Sequence, residues 1–421
     1  MNENNKILAS SCSFCGTPEK EAGLLLSNEY EDSHICMNCL DSMYVLLNES
    51  NCIENVNLDF ENKKEDNVEN SIIIKKPFEI KSLLDEYIIN QEEAKSIMST
   101  SIYNHYKRIQ WNEKSDIKIE KSNLLFAGPT GSGKTLIAKI ISKYLNIPMV
   151  TVDATLLTES GYMGDDIENS LVRLYKEANN DMSLAEKGII FIDEFDKIAK
   201  KNSHSSKSKD ISGEGVQQTL LKIIEGADIE IPLKNNENQS FLFGNEESKS
   251  KINTSNILFI FSGAFAGIED IVKSRLSSKK LGFKVNTKET NNKDKADNTE
   301  LKHKIEISDF VNYGFINELM GRIPVITIFD QLQKKDLVSI IKEPKNSLLE
   351  QYKLLFNIDG IKLDFNDEAI ELIAETALKR ETGARGLRSI FEKILQPIMF
   401  SMVNDDVKEI IITKEVVLKN I

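Results

Sequence analysis

The chain has no apolar run approaching the roughly 18 residues that a membrane-spanning helix needs. Its first residues also lack a basic stretch followed by an apolar one, so a secretion signal is not expected and a cytoplasmic protein is. Positive charge is short as well. The 53 Lys and Arg stand against 66 Asp and Glu, a formal net charge of -13, and the pI is near 5.1. Binding of nucleic acid without sequence preference depends on clustered cations at phosphates, so this balance argues against it. Neither H-E-x-x-H nor a Ser-His-Asp set stands out, and cleavage of peptide bonds by this chain is not expected. Five cysteines are present, none beyond Cys52.

Four of those cysteines form two C-x-x-C pairs, Cys12/Cys15 and Cys36/Cys39, about 20 residues apart. In a chain without a secretion signal this spacing predicts a structural Zn2+ site, each pair bringing two thiolates to one metal from a tight turn. Two disulfides or four free thiols are the alternative. Cys52 falls outside the pattern and reads as a free thiol. A segment this short holds no core of its own, so zinc binding and folding are expected to be coupled.

The 421 residues exceed one ordinary domain. The reading is a zinc-binding module over 1–58 and a flexible linker over 59–76, where "DFENKKEDNVENS" is dense in charge and poor in large apolar residues. A large domain over 77–330 and a small one over 331–421 follow. Polar tracts at 200–215 and 284–304 show no apolar periodicity and are expected to be loops. Between them "NLLFA", "PMVTVDA", "GIIFIDE", "NILFIFSG" and "PVITIFD" alternate with amphipathic stretches. Continuous apolar strands predict an α/β fold with a parallel sheet covered by helices on both faces. In the last 90 or so residues, apolar spacings of three and four predict a mainly helical domain closed by the short strand "EIIIT".

"GPTGSGKT" follows the first strand and precedes a helix, which is the context a phosphate-binding loop requires. The loop of Gly128, Pro129, Thr130, Gly131, Ser132 and Gly133 is expected to bind the nucleotide, its three glycines letting the backbone turn tightly enough for N–H groups to surround phosphate oxygens, with Leu136 in the helix behind it. Lys134 is expected at the β and γ phosphates of ATP, and Thr135 on Mg2+. A glycine-rich turn without a ligand is the bland alternative. The strand "GIIFIDE" ends in Asp193 and Glu194; behind such a loop these read as an Mg2+ holder and the group that polarises the attacking water.

These residues, with "EYIINQEEAK", "ESGYMGDDIE", "FIDEFDKIA", "ISGEGVQQTLLK", "SGAFAGIED", "FINELMGRIP", "EPKNSLLEQY" and "TGARGLRS", resemble the AAA+ ATPases, and within them the ClpX family of unfoldases. The likeness covers nearly the whole chain. It implies an AAA+ P-loop domain in a homohexameric ring that unfolds tagged or unstructured proteins, with help from adaptors, and delivers them to a ClpP-type peptidase. It also implies roles. Arg322 of "GRIP" reaches the nucleotide of a neighbouring subunit, and Arg385 of "GARGLR" senses its phosphate. Ile88 and Ile89 pack near the adenine or simply in the core. Gly161, Tyr162, Met163 and Gly164 form a loop that grips substrate, Lys200, Lys201, Lys207 and Lys209 a second one, and Leu281, Gly282 and Phe283 dock the peptidase. The chain departs from the family where relatives carry a basic Arg-Lys-His loop. It reads "IPLKNNENQS", with Lys234 its only cation, so weaker attraction of carboxylate-ended tags is expected. A nucleic-acid remodeller or transcription activator and a non-catalytic scaffold are competing readings. The "GAFAGI" stretch lies after both nucleotide motifs, where an activator loop does not, and complete nucleotide motifs disfavour a scaffold.

Overall fold

The structure is a computed structural model that describes residues 11–18, 21, 25–27, 34–40, 42, 72, 74–112, 114–157, 167–200, 211–233, 248–278, 301–302, 304–380, 382–402 and 408–421. The chain divides into two units, Met1–Asn67 and Val68–Ile421. In the first, β1 (Leu25–Ser27) pairs antiparallel with β2 (His34–Cys36), Leu25 opposite Cys36. No helix among the described residues is long and apolar enough to cross a membrane.

The second unit opens with α1 (Pro77–Asp85) and α2 (Glu92–Asn112). Pro77 stands at the start of α1, where a missing N–H costs nothing. There follow β3 (Leu124–Ala127), α3 (Lys134–Leu145), β4 (Met149–Asp153), α4 (Ile167–Glu177), α5 (Met182–Ala185), β5 (Ile189–Asp193), α6 (Ile211–Ile224), β6 (Asp228–Leu233), β7 (Ser248–Asn253), β8 (Leu258–Gly263), α7 (Ile268–Ser278), α8 (Ile307–Tyr313), α9 (Asn317–Gly321) and β9 (Val325–Ile328). The five apolar runs become β3, β4, β5, β8 and β9. They form one sheet in the order β4-β5-β8-β3-β9, parallel at every pairing.

Side chains alternate faces along a strand, and here both faces are buried. Leu125, Ile190, Ile192, Phe259 and Phe261 point into one core with Leu171, Phe195 and Leu220. Leu124, Phe126, Ile189, Phe191 and Ile260 point into the other with Met98, Ile137 and Ile141. That is why β3, β5 and β8 read as apolar runs, whereas the half-buried edge strands β4 and β9 admit Thr151 and Thr327.

Past β9 come α10 (Lys334–Lys342), α11 (Leu348–Ile358), β10 (Lys362–Phe365), α12 (Asp367–Lys379), α13 (Arg385–Met402), β11 (Glu409–Ile412) and α14 (Lys414–Asn420) around a third core that includes Leu337, Phe365, Ile373, Phe391 and Ile412. The expected strand "EIIIT" is β11. Its parallel partner β10 was not anticipated.

Three expectations change. The tract 284–304 is not loop throughout, because Leu301 and Lys302 are helical. The tract 200–215 is not loop throughout, because α6 begins at Ile211. Its Gly213 reflects close approach rather than a turn: an added Cβ would lie 3.0 Å from the Ile198 carbonyl oxygen. "IPLKNNENQS" begins as strand, since Ile231–Leu233 belong to β6, paired antiparallel with β7. Lys234 lies outside the described residues.

Candidate functional site

β3 ends at Ala127, and the loop to α3 curls over the strand's carboxyl end. Gly133 caps α3 in the left-handed region at φ 102°, with open space where a Cβ would sit, so backbone conformation alone selects glycine. Gly131 is selected twice, by its own positive φ of 78° and by proximity: its Cβ would fall 2.8 Å from the Thr382 carbonyl oxygen. Across that contact Ala384 N donates to Gly131 O at 3.4 Å. The turn from Thr382 to Ala384 thus rests on the loop and sets Arg385, the first residue of α13, at the same cleft.

The cleft measures about 310 Å3 and is lined by Gly131, Gly133, Lys134, Thr135, Asp193, Glu194 and Arg385, among others. Thr135 Oγ1 donates to Asp193 Oδ2 at 3.2 Å, so the loop hydroxyl and the acid at the end of β5 meet although 58 residues separate them. Glu194 takes a left-handed conformation at φ 54°, and its N–H donates to Asp193 Oδ1 at 3.0 Å. That bend turns the chain out of the sheet between two carboxylates, a strain of the kind that clusters at functional positions.

Lys134 is buried and donates to the carbonyls of Gly128 and Pro129 at 2.6 and 2.8 Å. Burial, chiefly, and the nearby Arg385 charge pull its ammonium down to about 8, against the carboxylates of Asp193 and Asp196. Ser132 Oγ is buried and has no hydrogen-bond partner among the described residues. An orphaned hydroxyl beside a buried cation, at the amino end of a 12-residue helix, fits the phosphates of a nucleotide.

Asp196, Lys197, Gly263 and Ala264 also line the cleft and were missed in the sequence. Asp196 is buried, accepts from Ala264 N at 3.1 Å and pairs with Lys197 Nζ at 3.2 Å. A third acid three residues after Asp193 was the available signal.

Arg322 is elsewhere. It follows α9 and precedes β9, whose Val325 pairs with Leu124 at the start of β3. The five-residue rise from Asn123 to Gly128 is about 16 Å, which separates Arg322 from its own chain's cleft. Its guanidinium meets Glu225 instead, through Nε at 3.0 Å and Nη2 at 2.9 Å. Ile88 is buried in a core with Met98 and Ile141, and Ile89 is half-buried. Gly161, Tyr162, Met163, Gly164, Leu281, Gly282 and Phe283 lie outside the described residues, as do Lys201, Lys207, Lys209 and Cys52.

In the first unit the four sulfurs of Cys12, Cys15, Cys36 and Cys39 all lie within 4.8 Å of one another. Thiolates bound at 2.3 Å to one tetrahedral zinc would be roughly 3.8 Å apart, so the set fits that ion. The turn is closed by Gly16 N donating to Cys12 O at 2.9 Å, and Cys36 N donates to Cys12 Sγ at 3.3 Å. Backbone N–H groups, that of Cys15 foremost, hold the Cys12 thiol down to about 6, while the neighbouring Cys15 thiol and burial push Cys39 up to about 12; a cation among the four sulfurs is what would let all of them ionise.

Comparison with known proteins agrees with this geometry. The ClpX C4-type zinc finger family matches residues 10–49, the AAA domain (Cdc48 subfamily) residues 119–326, and the C-terminal, D2-small domain of ClpB protein residues 332–413. The ATP-dependent Clp protease ATP-binding subunit ClpX of Borrelia duttonii (strain Ly) is 43% identical over 411 residues, which is 97% of this chain and 90% of that protein. The chain belongs to the ClpX family of AAA+ ATPases. The ClpX subunit of Borrelia recurrentis (strain A1) shows the same identity and coverage. That of Treponema denticola is 42% identical over 96% of this chain and 93% of its own length. The ClpX zinc-finger match covers all four clustered cysteines, and the AAA match spans both the phosphate loop and Arg322.

Proposed function

We propose that the chain is an ATP-driven protein unfoldase and translocase. It assembles as a homohexameric ring in the cytoplasm, threads tagged or unfolded proteins through the pore and passes them to a ClpP-type peptidase, acting as a chaperone when the peptidase is absent. One observation supports this above the rest: a single cleft past the carboxyl end of β3 gathers Lys134, Thr135, Asp193, Glu194 and Arg385, while Arg322 lies beside the opposite end of β3. An arginine needed for hydrolysis but remote from its own cleft has to serve another copy.

In this reading the loop from Gly128 to Leu136 holds ATP, and Thr135 with Asp193 holds its Mg2+. Glu194 orients and polarises the attacking water. Arg385, resting on the loop through the turn at Thr382, converts loss of the γ-phosphate into rotation of residues 331–421 against 77–330. Tyr162 and Met163 push the substrate, Leu281 to Phe283 dock the peptidase, and several weak docking loops act together. The zinc module over 1–58, tethered by 59–76, gathers adaptors and substrates. The single Lys234 in "IPLKNNENQS" weakens attraction for carboxylate-ended tags.

The test mixes the full chain, ATP-Mg2+ and a ClpP-type peptidase with a stably folded reporter carrying an unstructured tail. Loss of reporter signal with ATP, absent in Glu194→Gln, is the expected outcome. Hydrolysis without reporter loss, across tails of several sequences, would contradict the unfoldase reading.

A further inference from the structure

Arg322 is held at both ends. Its carbonyl accepts from Asn123 Nδ2 at 2.8 Å, and Asn123 is buried directly ahead of β3. Its side chain is held by Glu225, the residue after α6, with Nε and Nη2 both on oxygen Oε1. This pair occupies one edge of the guanidinium and leaves Nη1 unengaged by it.

The helix that ends just before Glu225 is itself fixed to the nucleotide machinery. Gln217, in the middle of α6 and 0% exposed, donates from Nε2 to Ile198 O at 2.8 Å and to Gly314 O at 3.3 Å, and accepts at Oε1 from Ile316 N at 2.8 Å. Ile198 lies five residues beyond Asp193, and Ile316 is the cap of α9, at whose other end Arg322 stands. One buried amide therefore ties the exit of β5 to the turn that leads into Arg322. Side chains of Phe195 and Phe315 stack across the same junction, with centroids 4.6 Å apart.

The side chains of Arg322 and Glu225 are 52% and 42% exposed. Ion pairs this exposed add little to stability, so holding the fold together does not explain the contact. Orientation does. A free arginine loses much rotamer freedom on meeting a phosphate, and one already held along its Nε edge loses less. We propose that Glu225 is a positioning residue for Arg322, holding the guanidinium ready for the γ-phosphate bound by a neighbouring copy. This rests on the reading of Arg322 as an arginine supplied in trans.

The test is steady-state ATP hydrolysis by the assembled full chain in four forms: wild type, Glu225→Gln, Arg322→Ala and the double variant. Glu225→Gln is expected to lower the rate at saturating ATP roughly tenfold, less than the ~10^2 that a 1 Å misplacement costs. The ATP concentration for half-maximal rate should stay put, because Glu225 is remote from the phosphate loop. The urea midpoint should also stay put. In the Arg322→Ala background the Glu225 change is expected to add nothing, as it must if it acts only through that arginine. An unchanged or faster rate in Glu225→Gln would overturn the proposal, and so would a further fall in the double variant. Wild-type hydrolysis by Arg322→Ala would instead sink the trans reading, and this inference with it.

Discussion

Lys134 sits where burial and charge compete, and the balance has a measurable consequence. With its ammonium held down to about 8, the group is cationic at neutral pH and neutral at pH 9. Bound phosphates favour the cation, so nucleotide affinity carries a proton above that value and none below it. Affinity for ATP measured by titration is expected to be level from pH 6.5 to 7.5 and then to weaken by nearly tenfold per pH unit above about 8. Lys134→Arg, cationic throughout, should remove the bend; a profile with the same bend in that variant would place the titrating group elsewhere. The motif residues were legible because each motif is a contiguous run whose chemistry is local. Glu225, Gln217 and Gln91 were not, since each acts across a long stretch of chain: Arg322 is 97 residues from Glu225, Ile316 is 99 from Gln217, and Asp330 is 239 from Gln91. Asp196 was visible in "DEFDKI", but its partner Ala264 was not.

Between α1 and α2 the segment "EYIINQ" is fastened twice to residues that follow β9. Gln91, 2% exposed, donates from Nε2 to Asp330 O at 2.9 Å and accepts at Oε1 from Asp330 N at 2.8 Å. Glu86 holds Lys345 by both backbone and side chain, at 2.8 and 2.7 Å. Gln91→Leu would leave both polar groups of Asp330 without that partner, at a cost of about 1–3 kcal/mol. The denaturant midpoint is expected to fall accordingly, and an unmoved midpoint would show that these bonds are replaced by water. Removal of zinc acts on the other unit. One zinc per chain is expected by metal analysis, and chelation or Cys36→Ser should erase the protection of the β1 and β2 amides from hydrogen exchange. Protection that survives both would contradict a metal-built module. At this scale the central strands β5, β8 and β3 could be read directly, since strands buried on both faces need apolar runs, and the edge strands β4 and β9 through their β-branched residues. The start of α6 could not, because Gly213 and Gly215 resemble loop chemistry while Gly213 answers a neighbouring carbonyl. Nor could β10, whose "KLDF" is short, polar at two of four positions and paired with a strand 47 residues away.

For the whole molecule the central claim is that no copy hydrolyses ATP alone. The cleft holds Glu194, and Arg322 stands one strand length away; in the function proposed above, a complete site takes its carboxylate from one copy and its arginine from the next. Arginines supplied this way are worth roughly 10^3 to 10^5 in rate, which would make hydrolysis a property of the assembly. The decisive measurement mixes Glu194→Gln protein with Arg322→Ala protein at equal concentration and records ATP hydrolysis. Each variant alone should be close to inactive. In a ring of head-to-tail interfaces filled at random, about a quarter of the sites would pair an intact Glu194 with an intact Arg322, so the mixture should regain on the order of a quarter of wild-type hydrolysis. A mixture as inactive as its parts, in rings shown to contain both, would contradict the account.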